Sequence, residues 1–256
     1  MLTEPRRQQI LQALRRDGQV VARTIAAELS VSEDTIRRDL RELARQGVLQ
    51  RVHGGAVLAS PAIADLEARS ALAPDEKRAL GAEAANLIEP GQVVLLDGGT
   101  STLELVRALP RELRATIITH SPVIAAALIP YPNIEVVIVG GRLFKHSGVS
   151  VGAAAHEAIS AIRADTYFMG ATGIHAEYGV TTGDLEESHI KRALMAAAAE
   201  TVLLATSDKL GRVSAYRVSP LSAISTLLTP ATATPELLAS LRASGVQVRV
   251  VALAAS

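Results

Sequence analysis

The chain has no cysteine in its 256 residues. That excludes a disulfide framework, thiol catalysis and cysteine-ligated zinc, and it fits a reducing cytoplasm. Long apolar runs are missing too. The longest, such as Ala193 to Ala199, are Ala-rich and stop at Glu200. They fall short of the roughly 18 residues of a membrane span, so no membrane partner is expected. The first residues, Met1-Leu2-Thr3-Glu4-Pro5-Arg6, lead into polar sequence rather than the apolar core of a signal peptide. A cytoplasmic location is expected. No internal repeat of about 20 to 50 residues is visible. Net charge is also absent, with 26 Lys+Arg against 26 Asp+Glu. The zero conceals an asymmetry: residues 1–57 hold 10 basic and 7 acidic side chains, and the remainder 16 and 19. A basic head on an acidic body suits nucleic-acid binding by the head.

What is present suffices for two domains. Hydrophobic residues make up 48% of the chain, enough for a large core, and 20% charged residues do not describe a disordered chain. Pro5 to Arg16 has a helical stripe of Ile10, Leu11 and Leu14, stopped by Asp17-Gly18. Thr24 to Leu29 reads as a short second helix with Ile25, Ala26 and Leu29 inward. Ser30-Val31-Ser32 is a tight turn, and Ser32 is placed to cap a third helix, Glu33 to Gln46. Glu33 and Asp34 favour its positive end. Ile36, Leu40 and Leu43 share one face of this helix. Asp34, Arg38, Arg41 and Arg45 share the opposite face, flanked by Thr35 and Arg37. Gly47 ends it. Val48 to Val52 and Ala56 to Leu58 read as strands around the turn His53-Gly54-Gly55. Helix, turn, Arg-lined helix and hairpin together describe a winged helix-turn-helix. Ser32, Thr35, Arg37, Arg38, Arg41, Arg51 and His53 are its candidate DNA contacts; His53 either meets a phosphate or fixes the turn.

Residues 1–57 are thus expected to form the DNA-binding head, 58–73 a linker containing Ser60-Pro61, and 74–256 a second domain. Pro74 opens a helix ending near Glu89-Pro90-Gly91. After it, short apolar runs alternate with helical stretches: Val93–Leu96, Ala115–Thr119, Ile134–Val139, Asp165–Met169, Thr201–Ala205, Ile224–Leu228 and Val246–Val251. Such runs indicate a mostly parallel, doubly wound sheet, making the fold α/β. Ligands bind beyond the carboxyl ends of such strands. Asp97, Gly98, Gly99, Thr100, Ser101 and Thr102 follow one strand and open a helix, giving close backbone approach, hydroxyls and a helix N-terminus for an anion. Thr119, His120 and Ser121 end the next strand, and Gly140 and Gly141 the one after. Lys191 and Lys209, near strand ends, either complete the pocket or stay on the surface. Asp97, itself an anion, is expected to accept a bond from a hydroxyl of the ligand. No metal and no cofactor are expected.

The stretches Val31-Ser32-Glu33-Asp34-Thr35-Ile36-Arg37-Arg38-Asp39-Leu40 and Val52-His53-Gly54-Gly55-Ala56 closely resemble the N-terminal signature of the DeoR family of bacterial regulators. Asp97 to Thr102, Thr119 to Pro122, Gly140 to Lys145, Gly170 to Gly173, Lys191 and Lys209-Leu210-Gly211 extend the resemblance over nearly the whole chain. It implies a self-associating repressor, dimer or tetramer, of a sugar-use operon, with a double-stranded DNA operator and a phosphorylated sugar or related metabolite as partners. It also implies a sensor similar in fold to ribose-5-phosphate isomerase. His120 stands where the family often has Asn, and Thr206 where it often has Asp. The alternative is an isomerase-like enzyme tethered to a DNA-binding head. Such an enzyme needs carboxylates to move protons, and Gly170-Ala171-Thr172-Gly173, which resembles the isomerases' acidic loop, carries none.

Overall fold

A computed structural model describes residues 3–60 and 66–253; residues 61–65, inside the predicted linker, and the last three residues lie outside it. The head begins with α1 (Thr3–Asp17), β1 (Gln19–Val21), α2 (Ala22–Glu28) and α3 (Glu33–Arg45). The wing follows as β2 (Leu49–Val52) and β3 (Gly55–Ala59), an antiparallel pair. Ser32 caps α3, its Oγ accepting from the Thr35 N–H at 3.2 Å. Ile10, Leu14, Ile25, Ile36, Leu40 and Leu43 form one buried cluster. The sequence expectations missed two features. β1 is a third strand, antiparallel to β3. Asp39, on the buried side of α3, ties α1 down by accepting from Arg6 Nε at 2.5 Å and Arg7 Nε at 3.2 Å. Leu29, expected inward, is only half-buried because α2 ends before it.

Part of the expected linker is structured. β3 runs on to Ala59, and α4 (Leu66–Ser70) precedes α5 (Pro74–Ala85). Ala73 enters α5 at φ 44°, a left-handed conformation that costs an alanine about 1 kcal/mol.

The sensor elements follow in order. They are β4 (Val93–Leu96), α6 (Thr100–Ala108), β5 (Ala115–Thr119), α7 (Pro122–Leu128) and β6 (Ile134–Ile138). Next come β7 (Arg142–Phe144), β8 (Val149–Val151), α8 (Ala153–Ser160), β9 (Ala164–Gly170), β10 (Gly173–His175) and β11 (Gly179–Thr182). The chain closes with α9 (Leu185–Ala197), β12 (Ala198–Leu204), β13 (Arg212–Val213), β14 (Tyr216–Ser219), β15 (Thr226–Pro230), α10 (Pro235–Ala243) and β16 (Gln247–Val251).

Seven strands form one sheet in the order β16-β15-β12-β9-β4-β5-β6, with every pairing parallel. Side chains alternate between two cores. Leu95, Tyr167, Met169 and Leu203 meet Ile159, Leu194 and Leu241 from α8, α9 and α10. Val94, Leu96, Phe168 and Val202 meet Leu80, Leu105 and Ile124 from α5, α6 and α7. The fold is the expected winged helix-turn-helix followed by a doubly wound α/β domain. From β4 the chain winds outward to β5 and β6; from β9 it winds the other way to β12, β15 and β16. The crevice at that reversal, beyond the carboxyl ends of β4 and β9, is where such sheets take ligands.

Candidate functional site

Two surfaces stand out. On the head, Arg38, Arg41 and Arg45 are exposed on α3. They share a groove with Arg7 and with Arg51 of the wing. Arg37 points to the neighbouring hollow, which Arg51, His53 and Gly54 also line. Its guanidinium is held by Glu33 Oε1 at 2.6 Å. Ser32 and Thr35 sit at the start of α3, their hydroxyls 2.8 Å apart. His53 is exposed at the wing tip.

The second surface is a cleft at the sheet's reversal point. Gly99 precedes α6 at φ 124°, a conformation suited to glycine, and no side chain caps the helix. The first-turn N–H groups of α6 therefore face the cleft with their share of the helix dipole. Four cations line the same cleft: Arg69, Lys77, Lys191 and Lys209. Ser101 Oγ, Thr182 Oγ1, Thr206 Oγ1 and Asp208 Oδ1 are buried in its wall with no hydrogen-bond partner among the described residues. Buried polar atoms are ordinarily paired, and four of the eight such orphans among the described residues lie around this cleft.

The four cations differ. Lys191 is neutralised by Asp97 and also donates to the Gly170 carbonyl at 3.0 Å. Lys77 donates to the Arg69 carbonyl. Lys209 is 9% exposed and makes no ion pair among the described residues. Burial pushes its ammonium down to about 8; Asp208 opposes that shift, and Lys77, Arg69 and Lys191 reinforce it. Burial also raises Glu187, with Lys191 pulling the other way.

Of the residues expected in the pocket, Gly98, Gly99, Thr100, Ser101, Thr102, Lys191 and Lys209 line the cleft. Asp97, Thr119, His120 and Ser121 lie behind it. Asp97 is 1% exposed and accepts from the N–H groups of Gly98 and Gly170, both at 2.9 Å, besides Lys191. A carboxylate buried at the end of a central strand needs every partner it can find, so it braces β4 against β9 instead of facing a sugar. Thr119 Oγ1 donates to the Leu96 carbonyl at 2.8 Å, and Ser121 Oγ to the Gly148 carbonyl at 2.9 Å. His120 Nε2 lies 3.6 Å from Asp97; burial lowers this imidazole to about 4 despite the carboxylate, so it is neutral at pH 7. Gly140 and Gly141 lie outside the cleft. A side chain on Gly141 would meet the Val151 carbonyl oxygen at 2.9 Å, which accounts for that glycine by packing.

Arg69, Lys77, Ser147, Thr172, Thr182 and Asp208 line the cleft without having been expected there. The only sequence signal lay in the Thr206 to Lys209 and Gly170 to Gly173 stretches.

Comparison with known proteins settles the family. Residues 6–62 match the DeoR-like helix-turn-helix domain and residues 72–231 the DeoR C terminal sensor domain. The chain belongs to the DeoR family of transcriptional regulators. Among its DeoR-family relatives, the HTH-type transcriptional repressor GlcR of Bacillus subtilis (strain 168) is 33% identical over 234 residues. That match covers 90% of this chain and 89% of the relative. The glycerol-3-phosphate regulon repressor of Escherichia coli (strain K12) is 29% identical, covering 87% and 88%. Both are named as repressors, not enzymes. Ribose 5-phosphate isomerase A from Methanocaldococcus jannaschii is a solved structure similar to part of this chain, at 19% identity, 52% coverage of each chain and a TM-score of 0.39. No helix among the described residues is long and apolar enough to cross a membrane.

Proposed function

We propose that this DeoR-family chain represses a carbohydrate-use operon and is released from its operator by an anionic, phosphorylated small metabolite. The observation that carries the reading is the uncapped N-terminus of α6 in the same cleft as Lys209, a buried cation without an ion-pair partner among the described residues. Backbone N–H groups at a helix start and a nearby ammonium are the elements of a phosphate site. The orphaned hydroxyls of Ser101, Thr182 and Thr206 suit the hydroxyls of a sugar. The name of the E. coli relative, which ties its regulon to glycerol 3-phosphate, supports the same class.

The head binds duplex DNA through α3, with Arg38 and Arg41 in the major groove and Thr35, Arg37, Ser32, Arg51 and His53 around them. Phosphate contacts position such a helix, and base contacts specify the site. One winged head reads few base pairs. The protein therefore works as a homo-oligomer on half-sites separated by turns of about 34 Å.

A thermal-shift screen tests the sensor reading, pairing each phosphorylated sugar with its unphosphorylated parent. Selective binding to the folded state raises Tm with the phosphorylated member alone. Equal shifts from both members of every pair would overturn the anion site. Thr100→Glu, which sets a fixed negative charge at the helix start, removes the shift and leaves operator binding intact.

A further inference from the structure

The wing of the head is not a free hairpin. β1 pairs with Gly55, Ala56 and Val57 along one edge of β3. Where β1 stops, β13 of the sensor takes over, pairing in parallel with Leu58 and Ala59 through Arg212 and Val213. The sheet of the DNA-binding head is thus completed by a strand from the other domain. Beside this junction Ser60 Oγ donates to the Thr172 carbonyl, and Thr172 Oγ1 lies 2.7 Å from Ser214 Oγ.

The same strand is the continuation of the cleft wall. Thr206, Asp208 and Lys209 line the cleft, and Gly211 N then donates to the Ile174 carbonyl at 2.8 Å just before β13 begins. Thr172, beside Ser60, lines the cleft as well. Only Leu210 and Gly211 separate Lys209 from Arg212, and Thr172 adjoins Gly173, so a shift of the cleft wall is passed to β13. The β13–β3 pairing spans two residues, while the β9–β12 pairing in the main sheet spans six. The short ladder is the weaker seam.

We propose that β13 is the transmission element of this regulator. An anion that draws Lys209 and Thr206 toward the start of α6 pulls Arg212 and Val213 off β3, which unclamps the wing and lets the head leave its DNA-binding pose. The proposal rests on the anion reading of the cleft. It adds the output: the ligand is read by the wing, through strand pairing, rather than through the linker alone. By linkage, whatever holds β13 on β3 weakens anion binding by the factor that the anion loosens the pairing.

Hydrogen–deuterium exchange on the full chain, with inorganic phosphate as the probe, reads both ends at once. Binding appears as slower exchange at residues 100–103. Coupling appears as exchange faster by about fivefold or more at residues 55–60 and 211–214, the lower end of ordinary coupling between sites. Slower exchange at the cleft with no change at residues 55–60 and 211–214 overturns the coupling and leaves the cleft standing. No change at the cleft at any phosphate concentration overturns the anion reading, and the coupling with it.

A staple tests the reverse direction. Ala59→Cys with Val213→Cys places two thiols on paired residues of a chain with no other cysteine. When oxidised, the staple should raise the phosphate midpoint by about fivefold, and reductant should restore it. One midpoint in both redox states overturns the proposal. Gly173→Ala needs no disulfide to form. A methyl there would stand 2.7 Å from the Arg212 carbonyl oxygen, forcing β13 aside. Exchange at residues 55–60 should then be fast without phosphate; wild-type exchange there would also overturn the proposal.

Discussion

The head and the sensor both use clustered positive charge, and they use it in opposite ways. On α3 the arginines are exposed, spaced along one helix and compensated at most by neighbours on the same surface, as Arg37 is by Glu33. In the sensor the cations come from four separate elements or loops, and Lys77, Lys191 and Lys209 are buried. An exposed charge costs the fold little and keeps its full counter-ion release for DNA. A buried charge costs stability until a partner arrives, and that cost makes a small anion worth binding. Within the sensor the contrast recurs: Lys191 has Asp97, whereas Lys209 has no ion-pair partner among the described residues.

The largest effect should come from breaking the internal pair. Asp97→Ala strands a buried Lys191 and frees two backbone N–H groups, so the sensor should lose about 3–5 kcal/mol, the usual consequence of removing one member of a buried pair. Urea denaturation checks this. A loss below about 1 kcal/mol, the level of a surface pair, would mean that Asp97 does not hold the β4–β9 junction. On the head, Arg38→Ala should leave the denaturation midpoint unchanged and cost about 1–3 kcal/mol in DNA affinity, read on the duplex selected from a random pool. Arg37→Ala should cost less, because Glu33 already holds that guanidinium. If the order reverses, Arg37 and not Arg38 reads the groove.

The same contrast explains what could be read from the sequence. The Arg face of α3 was legible because exposure on a helix leaves a period of 3.6, with Ile36, Leu40 and Leu43 marking the other side. The strand ends were legible because parallel strands are buried on both faces and read as continuous apolar runs. The direction of a side chain at a strand end was not. Thr119, His120 and Ser121 carry the chemistry of a binding site and spend it on backbone carbonyls, buried packing and a brace for β8. Arg69 and Lys77 were invisible for the converse reason: only the fold brings the linker and α5 over the cleft. β13, two residues long, has no period at all.

The next effect is on pH. The second ionisation of a phosphate monoester lies near pH 6, and burial brings the Lys209 ammonium down to about 8. Anion affinity should therefore be highest between these values and fall by up to about tenfold per unit as pH rises past 8, once the lysine is neutral. DNA binding by the head provides the control, since arginine as a residue type does not titrate near these values. Calorimetry with a sugar phosphate between pH 6.5 and 9.5 checks this. A flat profile would show that Lys209 is not the ammonium the anion meets.

The smallest effect is the most direct test of the comparison, because only one of the two regions should show it. The folded pKa of Lys209 lies below its ordinary value of 10.5. Between pH 8 and 10.5 the unfolded chain holds a proton that the folded chain does not, so stability rises with pH across that window. Below pH 8 both states are charged and the full penalty of burying the ammonium applies. Lys209→Met keeps the length of the side chain and removes the charge. At pH 7 it should raise the Tm of the ligand-free protein by about 2–4 °C, the shift that about 1 kcal/mol produces in a domain of this size. The gain should shrink as the pH approaches 10, where wild-type Lys209 is neutral in the fold, and phosphate should no longer shift Tm at any pH. Replacing Arg41 on the head with Met should leave Tm unchanged, because that guanidinium is exposed. A lower Tm for Lys209→Met at pH 7 would show that the lysine supports the ligand-free fold, and the contrast between exposed and buried cations would fail at its central residue.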